Sequence, residues 1–112
     1  MAQMISLFGI PNCDSCRAAK KAFEAAGITL TFHDVRATPL DQETLARFHA
    51  SLGESLINRR STTWRGLSEE ARKGDPVALL AANPTLMKRP VIEANGTLTL
   101  GWDAAAKAAH LG

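Results

Sequence analysis

Both cysteines of the chain lie in one short stretch, residues 9–17, and are separated by two residues. This stretch follows an apolar segment, residues 5–8, that is typical of a buried strand, and it leads into helical spacing that extends to about Ala26. A thiol at the start of a helix meets unpaired backbone N–H groups and the positive end of the helix dipole. Because these favour the reactive thiolate, the stretch predicts redox or thiol-transfer chemistry at Cys13.

The residues that follow complete a β-α-β unit. The expected apolar face of the helix is mostly alanine and consists of Ala18, Ala19, Ala22, Phe23 and Ala26. Gly27 is suited to end the helix, and residues 28–33 alternate partly, as a second strand would. A strand, helix and strand of these lengths predict two parallel strands joined by a crossover.

The remainder of the chain predicts a helical block followed by a hairpin and a final helix. Between about residues 36 and 88, Asp41, Ser68 and Asp75 are placed as N-caps of separate helices. Residues 90–94 and 97–100 then form two strand-like segments joined by Asn95-Gly96, a strong hairpin signal, and residues 103–110 form a terminal helix. With 112 residues, the sequence predicts a single α/β domain spanning 1–112, with its helical block inserted between two halves.

Several short segments carry a family resemblance. They include a cysteine at the first strand-to-helix turn, Thr-Thr-Trp-Arg at residues 62–65 and Lys-Arg-Pro at residues 88–90. The order β-α-β, helical block, β-β-α resembles the thioredoxin fold, and the helical block resembles the arsenate reductase and Spx branch. Within that branch the segments are similar to the YffB-type proteins, which are regarded as glutathione-dependent thiol reductases. The resemblance spans nearly the whole chain.

The resemblance implies a set of site residues. Cys13 matches the nucleophilic cysteine of the family, and Arg89 matches the arginine before a proline that is normally cis and faces that cysteine, here Pro90. Arg60 matches an arginine of the family's basic segment. Arginine guanidinium groups suit the two carboxylates of glutathione. The predicted glutathione-binding residues are Asn12, Arg60, Arg89 and Pro90, with Arg59 and Lys88 as alternates.

Two of these residues keep two possible roles. Cys16 lies one turn into the helix, where it either resolves a mixed disulfide on Cys13 or is a small buried residue while glutathione resolves it. Asn12 either places its amide near the Cys13 sulfur or only shapes the turn.

The function predicted is that of a thiol-disulfide oxidoreductase, a glutathione-dependent thiol reductase acting on an oxidised thiol that the sequence does not identify. One alternative is an arsenate reductase, with an oxyanion substrate and a glutaredoxin partner. Arsenate reductases carry an arginine where this chain has Gly101, which argues against arsenate. A second alternative, from a different class, is an Spx-like redox-sensing regulator that binds RNA polymerase.

Other classes of function are disfavoured. The net charge of +2 and the absence of interleaved aromatic and basic residues argue against nucleic-acid binding. The three histidines have no ordered spacing relative to the cysteines, so no metal site is expected. Glutathione is expected as a co-substrate, with no bound cofactor. No apolar run approaches a membrane span and the N-terminus has no signal-like segment, so a cytoplasmic protein that does not associate with membranes is expected.

Overall fold

The computed structural model describes residues 4–94 and 96–111. Two compact units are present: one is formed by the two ends of the chain, up to Asp34 and from Arg89 onwards, and the other is Val35–Lys88. The second unit corresponds closely to the helical block expected at about residues 36–88, while the single domain over 1–112 stays a prediction. Asn95 of the predicted hairpin turn lies outside the described residues.

The first unit is a sheet with two helices. Its elements in chain order are β1 (Met4–Gly9), α1 (Asp14–Ala25), β2 (Thr29–Asp34), β3 (Val91–Ala94), β4 (Thr97–Leu100) and α6 (Ala104–Leu111). Within the described ranges, four strands lie in the order β2-β1-β3-β4. β1 pairs parallel with β2, as the β-α-β pattern predicts, whereas β3 is antiparallel to both β1 and β4. The α/β thioredoxin-like order is thus confirmed.

The register of the two central strands joins distant parts of the sequence. Phe8 near the end of β1 lies opposite Val91, the first residue of β3. Because the two strands are antiparallel, the carboxyl end of β1 meets the amino end of β3. The loop that carries Cys13 therefore emerges beside the segment Arg89-Pro90.

The core of this unit fills the space between α1 and one face of the sheet. It is built from Ile5, Leu7, Cys16, Ala19, Phe23, Ile92 and Ala94. The expected alanine face of α1 is partly wrong: Ala18 and Ala26 are exposed, whereas Cys16, Ala19 and Phe23 are the buried residues. These three recur at spacings of three and four, so the buried stripe is narrower than the run of alanines and centred on Ala19.

The helix α1 ends as its sequence predicts. Gly27 has φ of 74°, in the left-handed region that favours glycine. Its N–H donates to the carbonyl of Glu24 at 3.0 Å, and the N–H of Ile28 donates to the carbonyl of Phe23 at 3.0 Å. The pair of bonds satisfies two carbonyls that the helix end would otherwise leave open.

The second unit consists of short helices. Its helices in chain order are α2 (Gln42–Leu52), α3 (Thr62–Arg65), α4 (Glu69–Arg72) and α5 (Pro76–Ala82), with 3₁₀ turns at Gly53–Leu56 and Pro84–Leu86. The predicted caps are confirmed: Asp41, Ser68 and Asp75 accept the N–H of Thr44, Ala71 and Ala78, respectively. Within the described part of the chain, no helix combines the length and the apolar character needed to cross a membrane.

Candidate functional site

Cys13 occupies the N-cap of α1. Its backbone is extended, with φ of −97° and ψ of 124°, and its carbonyl accepts the first helical bond from the N–H of Arg17 at 2.9 Å. Its own N–H donates to the carbonyl of Ile10 at 3.3 Å, which closes the turn after β1. The side chain is half-buried and packs against the core of the first unit. The sulfur thus lies where the free N–H groups of the helix begin.

Three groups act on the Cys13 thiol. Burial by itself raises its pKa, but the backbone N–H and thiol of Cys16 and the guanidinium of Arg89 favour the charged form and outweigh burial. The pKa of Cys13 is therefore below the ordinary value for a cysteine. A larger share of this sulfur is thiolate, the nucleophilic form, than in an unperturbed cysteine at the same pH.

Cys16 has the opposite character. It is fully buried, with 0% of its surface exposed, and burial together with the nearby charge of Cys13 raises the pKa of its thiol to about 12. At neutral pH it is thus an S–H group. The structure has Cys16 on the packed face, with Cys13 the more accessible cysteine.

Gly9 makes room for Cys16. A Cβ atom built on Gly9 would lie 2.3 Å from the Cys16 sulfur and 3.4 Å from the Cys16 Cβ. Along β1, Gly9 continues the face of Ile5 and Leu7, which packs against α1. Sequence reasoning gave Gly9 no role, although its place on the buried face was a usable signal.

Arg89 and Pro90 lie beside the thiol site in the first unit. The bond between them is cis, as the resemblance implied. Arg89 is close enough to Cys13 to lower its pKa by charge and hydrogen bonding. The carbonyl of Pro90 accepts the N–H of Gly101 at 2.8 Å, and Gly101 has φ of 79°, a conformation that side-chain-bearing residues rarely adopt. An arginine at that position, as in arsenate reductases, would be strained.

The remaining predicted residues have different surroundings. Asn12 is exposed in the turn before Cys13, and both roles considered for it stay predictions. Arg60 belongs to the second unit, where it is exposed and helps to line an open cleft of about 530 Å³ with Asn58, Arg59 and Lys88. Its role in binding glutathione also stays a prediction.

Hydrogen bonds join residues that line the cleft of the second unit. Arg59 donates to Glu54 at 2.8 Å, and the N–H of Arg60 donates to the side-chain oxygen of Asn58 at 3.1 Å. The guanidinium carbons of Arg59 and Arg72 lie 5.5 Å and 5.4 Å from the centroid of Trp64. Trp64 is thus flanked by two cations, an arrangement that the sequence did not indicate.

The described histidines and cysteines do not converge on a metal site. Among the described residues, no group of three or more histidine, cysteine, aspartate or glutamate side chains could hold a metal ion. His33 stacks on Phe8 with ring centroids 4.6 Å apart, and His110 Nε2 lies 2.7 Å from the hydroxyl of Thr99. Both histidines therefore have packing or hydrogen-bonding roles within the first unit.

Known proteins resemble this chain over nearly its whole length. The model of the ArsC family matches residues 8–109. An uncharacterized protein of Haemophilus influenzae is 38% identical over 105 residues, which cover 89% of this chain and 92% of that protein. The global transcriptional regulator Spx of Streptococcus mutans is 26% identical over 106 residues, covering 89% and 77% of the two chains.

Solved structures give the same result. A protein described as YFFB superimposes with a TM-score of 0.88 and 33% identity, covering 96% of this chain and 99% of that one. An arsenate reductase (ArsC) related protein from Brucella melitensis has a TM-score of 0.74 and 39% identity, covering 98% and 94%. The expected resemblance to the arsenate reductase and Spx branch, with YffB-like detail, is confirmed. The chain, with Cys13 placed between its first strand and first helix, belongs to the ArsC family.

Proposed function

We propose that this protein is a cytoplasmic thiol-disulfide oxidoreductase that uses Cys13 as its nucleophile and glutathione as its co-substrate. The observation that carries the proposal is the N-cap position of Cys13, where Cys16 and Arg89 hold its pKa below the ordinary value. Membership of the ArsC family supports a thiol-based redox role. No bound cofactor takes part in this scheme.

The reaction consists of two exchanges. The Cys13 thiolate attacks one sulfur of a disulfide R–S–S–R′, so that a Cys13–S–S–R bond forms, the S–S bond of the substrate breaks, and the R′ thiolate leaves and takes up a proton. Glutathione then gives up its thiol proton and attacks the R sulfur. This releases R–S–SG and restores the Cys13 thiolate, with electrons and protons balanced.

The surroundings of Cys16 favour glutathione as the resolving thiol. A thiolate is required for attack, and Cys16 is fully buried with a pKa raised to about 12. We therefore assign Cys16 the role of a thiol that donates to the Cys13 sulfur, rather than that of the resolving cysteine.

Arg89 and Pro90 are the proposed contacts for glutathione in the first unit. The guanidinium of Arg89 would pair with a carboxylate of glutathione, and the backbone around Pro90 would meet its peptide part. Asn12 would add a hydrogen bond near the sulfur. A role in glutathione binding for Arg60, with Arg59 and Lys88 as alternates, stays a prediction from the sequence.

The test is to oxidise the protein with glutathione disulfide and to locate the adduct by mass. Glutathione on Cys13, removed by a second glutathione, is the expected result. Arg89→Ala should raise the glutathione concentration needed for turnover and shift the Cys13 alkylation profile to higher pH, whereas Lys21→Ala, an exposed charge on α1, should do neither. A Cys13–Cys16 disulfide that only thioredoxin reduces would contradict the proposal.

A second candidate, the redox-sensing regulator, is favoured by relatives described as Spx, which match 89% of this chain. In that case the protein would bind RNA polymerase and would not turn over glutathione mixed disulfides. Polymerase capture by the purified chain, measured in reducing and oxidising buffer, distinguishes the two. Arsenate reduction coupled to glutaredoxin has less support, because φ of 79° at Gly101 disfavours the arginine found there in arsenate reductases.

A further inference from the structure

A small pocket lies in the first unit, lined in part by the turn that precedes Cys13 and by the first turns of α1. Its lining consists of Pro11, from the turn before the cysteine, Arg17 and Lys20, from the first turns of α1, and Phe32, from β2. The volume is about 270 Å³. That is below the roughly 300–1,000 Å³ typical of sites that enclose a whole small molecule. A pocket of this size has room for one side chain of a larger molecule.

The pocket combines an apolar floor with two cations. Pro11 and Phe32 supply the apolar surface, and Lys20 Nζ lies 5.9 Å from the centroid of the Phe32 ring. Arg17 pairs with Asp14, but the two side chains are 61% and 96% exposed, so this ion pair is weak and exchanges readily. Two cations against one carboxylate leave a positive pocket, which complements an acidic side chain.

The spacing of its cations from Cys13 along the helix indicates where that acidic side chain would be. At about 1.5 Å per residue along a helix, Arg17 and Lys20 lie about 6 Å and 10 Å along the axis from Cys13. An extended peptide advances about 3.3 Å per residue, so its second and third residues from a cysteine span about 7 to 10 Å. The two spacings agree.

We infer that this pocket is a specificity site for the oxidised substrate, and that it takes an acidic side chain two or three residues from the substrate's cysteine. The inference rests on the proposed role of Cys13 as the nucleophile. It identifies the substrate class as a polypeptide disulfide with a nearby glutamate or aspartate.

The test uses hexapeptides whose cysteine is activated as the 2-thiopyridyl disulfide. Cys13 attacks the peptide sulfur, the bond between the two sulfurs of the reagent breaks, and pyridine-2-thione leaves after taking up a proton, which gives an absorbance signal. Each peptide has Glu, Gln or Lys two residues from the cysteine, on either side. The measured quantity is the ratio of the Glu-peptide rate to the Gln-peptide rate.

The wild-type protein is expected to favour the Glu peptide by about fivefold at low salt, the size expected of one or two exposed charge contacts. High salt should reduce the ratio, because these charges are exposed. Arg17→Gln combined with Lys20→Gln should bring the ratio to about one, and Asp14→Asn should increase it. Lys21→Gln is the matched control on the same helix and should leave the ratio unchanged.

A wild-type ratio of one, or a preference that survives in the double variant, would overturn the inference. So would a double variant that slows only the 2-thiopyridyl disulfide of glutathione, because the pocket would then serve glutathione. The exchange needs Cys13 but not glutathione turnover. Failure here is therefore distinct from failure of the proposed function, which the adduct experiment decides.

Discussion

The start of α1 and the starts of the helices in the second unit follow different chemistry. α2, α3, α4 and α5 all begin with a side-chain oxygen that accepts a backbone N–H, from Asp41, Ser61, Ser68 and Asp75. α1 begins with Cys13, in a similar extended backbone conformation but with sulfur in place of oxygen. An oxygen cap stabilises its helix by satisfying one N–H group. At α1 the helix start instead helps to lower the pKa of the Cys13 thiol. The same position thus favours a thiolate in α1 and helix stability in its counterparts.

The largest effect is expected when the N-cap of α1 is given an oxygen, as in the helices of the second unit. Cys13→Ser gives α1 an oxygen cap, and we expect it to abolish exchange with disulfides because the nucleophile is gone. The free energy of unfolding should stay within about 0.5 kcal/mol of wild type, since serine is a good N-cap. Exchange rates and denaturant unfolding check the two parts. Retained exchange would mean that another thiol carries the reaction.

The stability of the fold near the start of α1 should also depend on Gly9 having no side chain. Gly9→Ala places a Cβ 2.3 Å from the Cys16 sulfur and should destabilise the fold by about 1 to 3 kcal/mol, as overpacking does. The double variant Gly9→Ala with Cys16→Ala should recover part of this loss. Gly66→Ala is the control, because its Cβ would meet nothing closer than 3.4 Å. Equal losses in the two single variants would show that the close contact is not the cause.

A smaller effect is expected when an oxygen cap is removed. Ser61 accepts the N–H of Trp64 at 3.1 Å and donates to the carbonyl of Asn58 at 2.7 Å, so Ser61→Ala should destabilise by about 1 kcal/mol. Exchange at Cys13 should stay at the wild-type rate. Ser15→Ala, at an exposed position within α1, should change neither quantity. Denaturant unfolding with a rate assay separates these outcomes.

The smallest effect is a difference in pH dependence between the two helix starts. Hydrogen bonds from the Thr44 hydroxyl and N–H lower the pKa of Asp41, so its contribution to stability is present above about pH 3.9 and is lost as pH falls through the folded value. The pKa of Cys13 is lowered too, so its contribution is present above about pH 8.5 and is lost as pH falls through its own folded value. Asp41→Asn should weaken the pH dependence of the free energy of unfolding only in acid. Cys13→Ser should weaken it only in the higher pH range. Flattening of both windows by one variant would contradict this separation.

Local patterns in the sequence were enough to predict most of the fold. The β-α-β unit, the caps at Asp41, Ser68 and Asp75, and the position of Gly27 depend on residues near one another in the chain. The short helix α3 was missed, although the equally short α4 was predicted from its cap at Ser68. α3 has only four residues, too few for a period, and the bridge between Ile57 and Met87 joins residues far apart in sequence.

The candidate site could be predicted only in part for the same reason. Cys13 follows from its position between strand and helix, whereas Arg89 and Pro90 entered through the family resemblance. The need for glycine at position 9 comes from its close approach to Cys16. That approach depends on how α1 packs on β1, which neither local segment defines. The exposure of Ala18 depends on the angle at which α1 lies on the sheet, which composition does not define.

The pairing of Phe8 with Val91 has an evolutionary consequence. Because β1 and β3 are hydrogen-bonded neighbours, the spacing between the thiol loop and the cis-proline segment is set by the sheet and not by the length of chain that separates them in sequence. Insertions or deletions among residues 35–88 can therefore accumulate without changing that spacing. A one-residue slip of β3 would reverse which faces its side chains point to and would move Arg89 relative to the sulfur. Changes in the intervening helices that keep the predicted Arg60 contact should therefore leave the charge beside the cysteine in place.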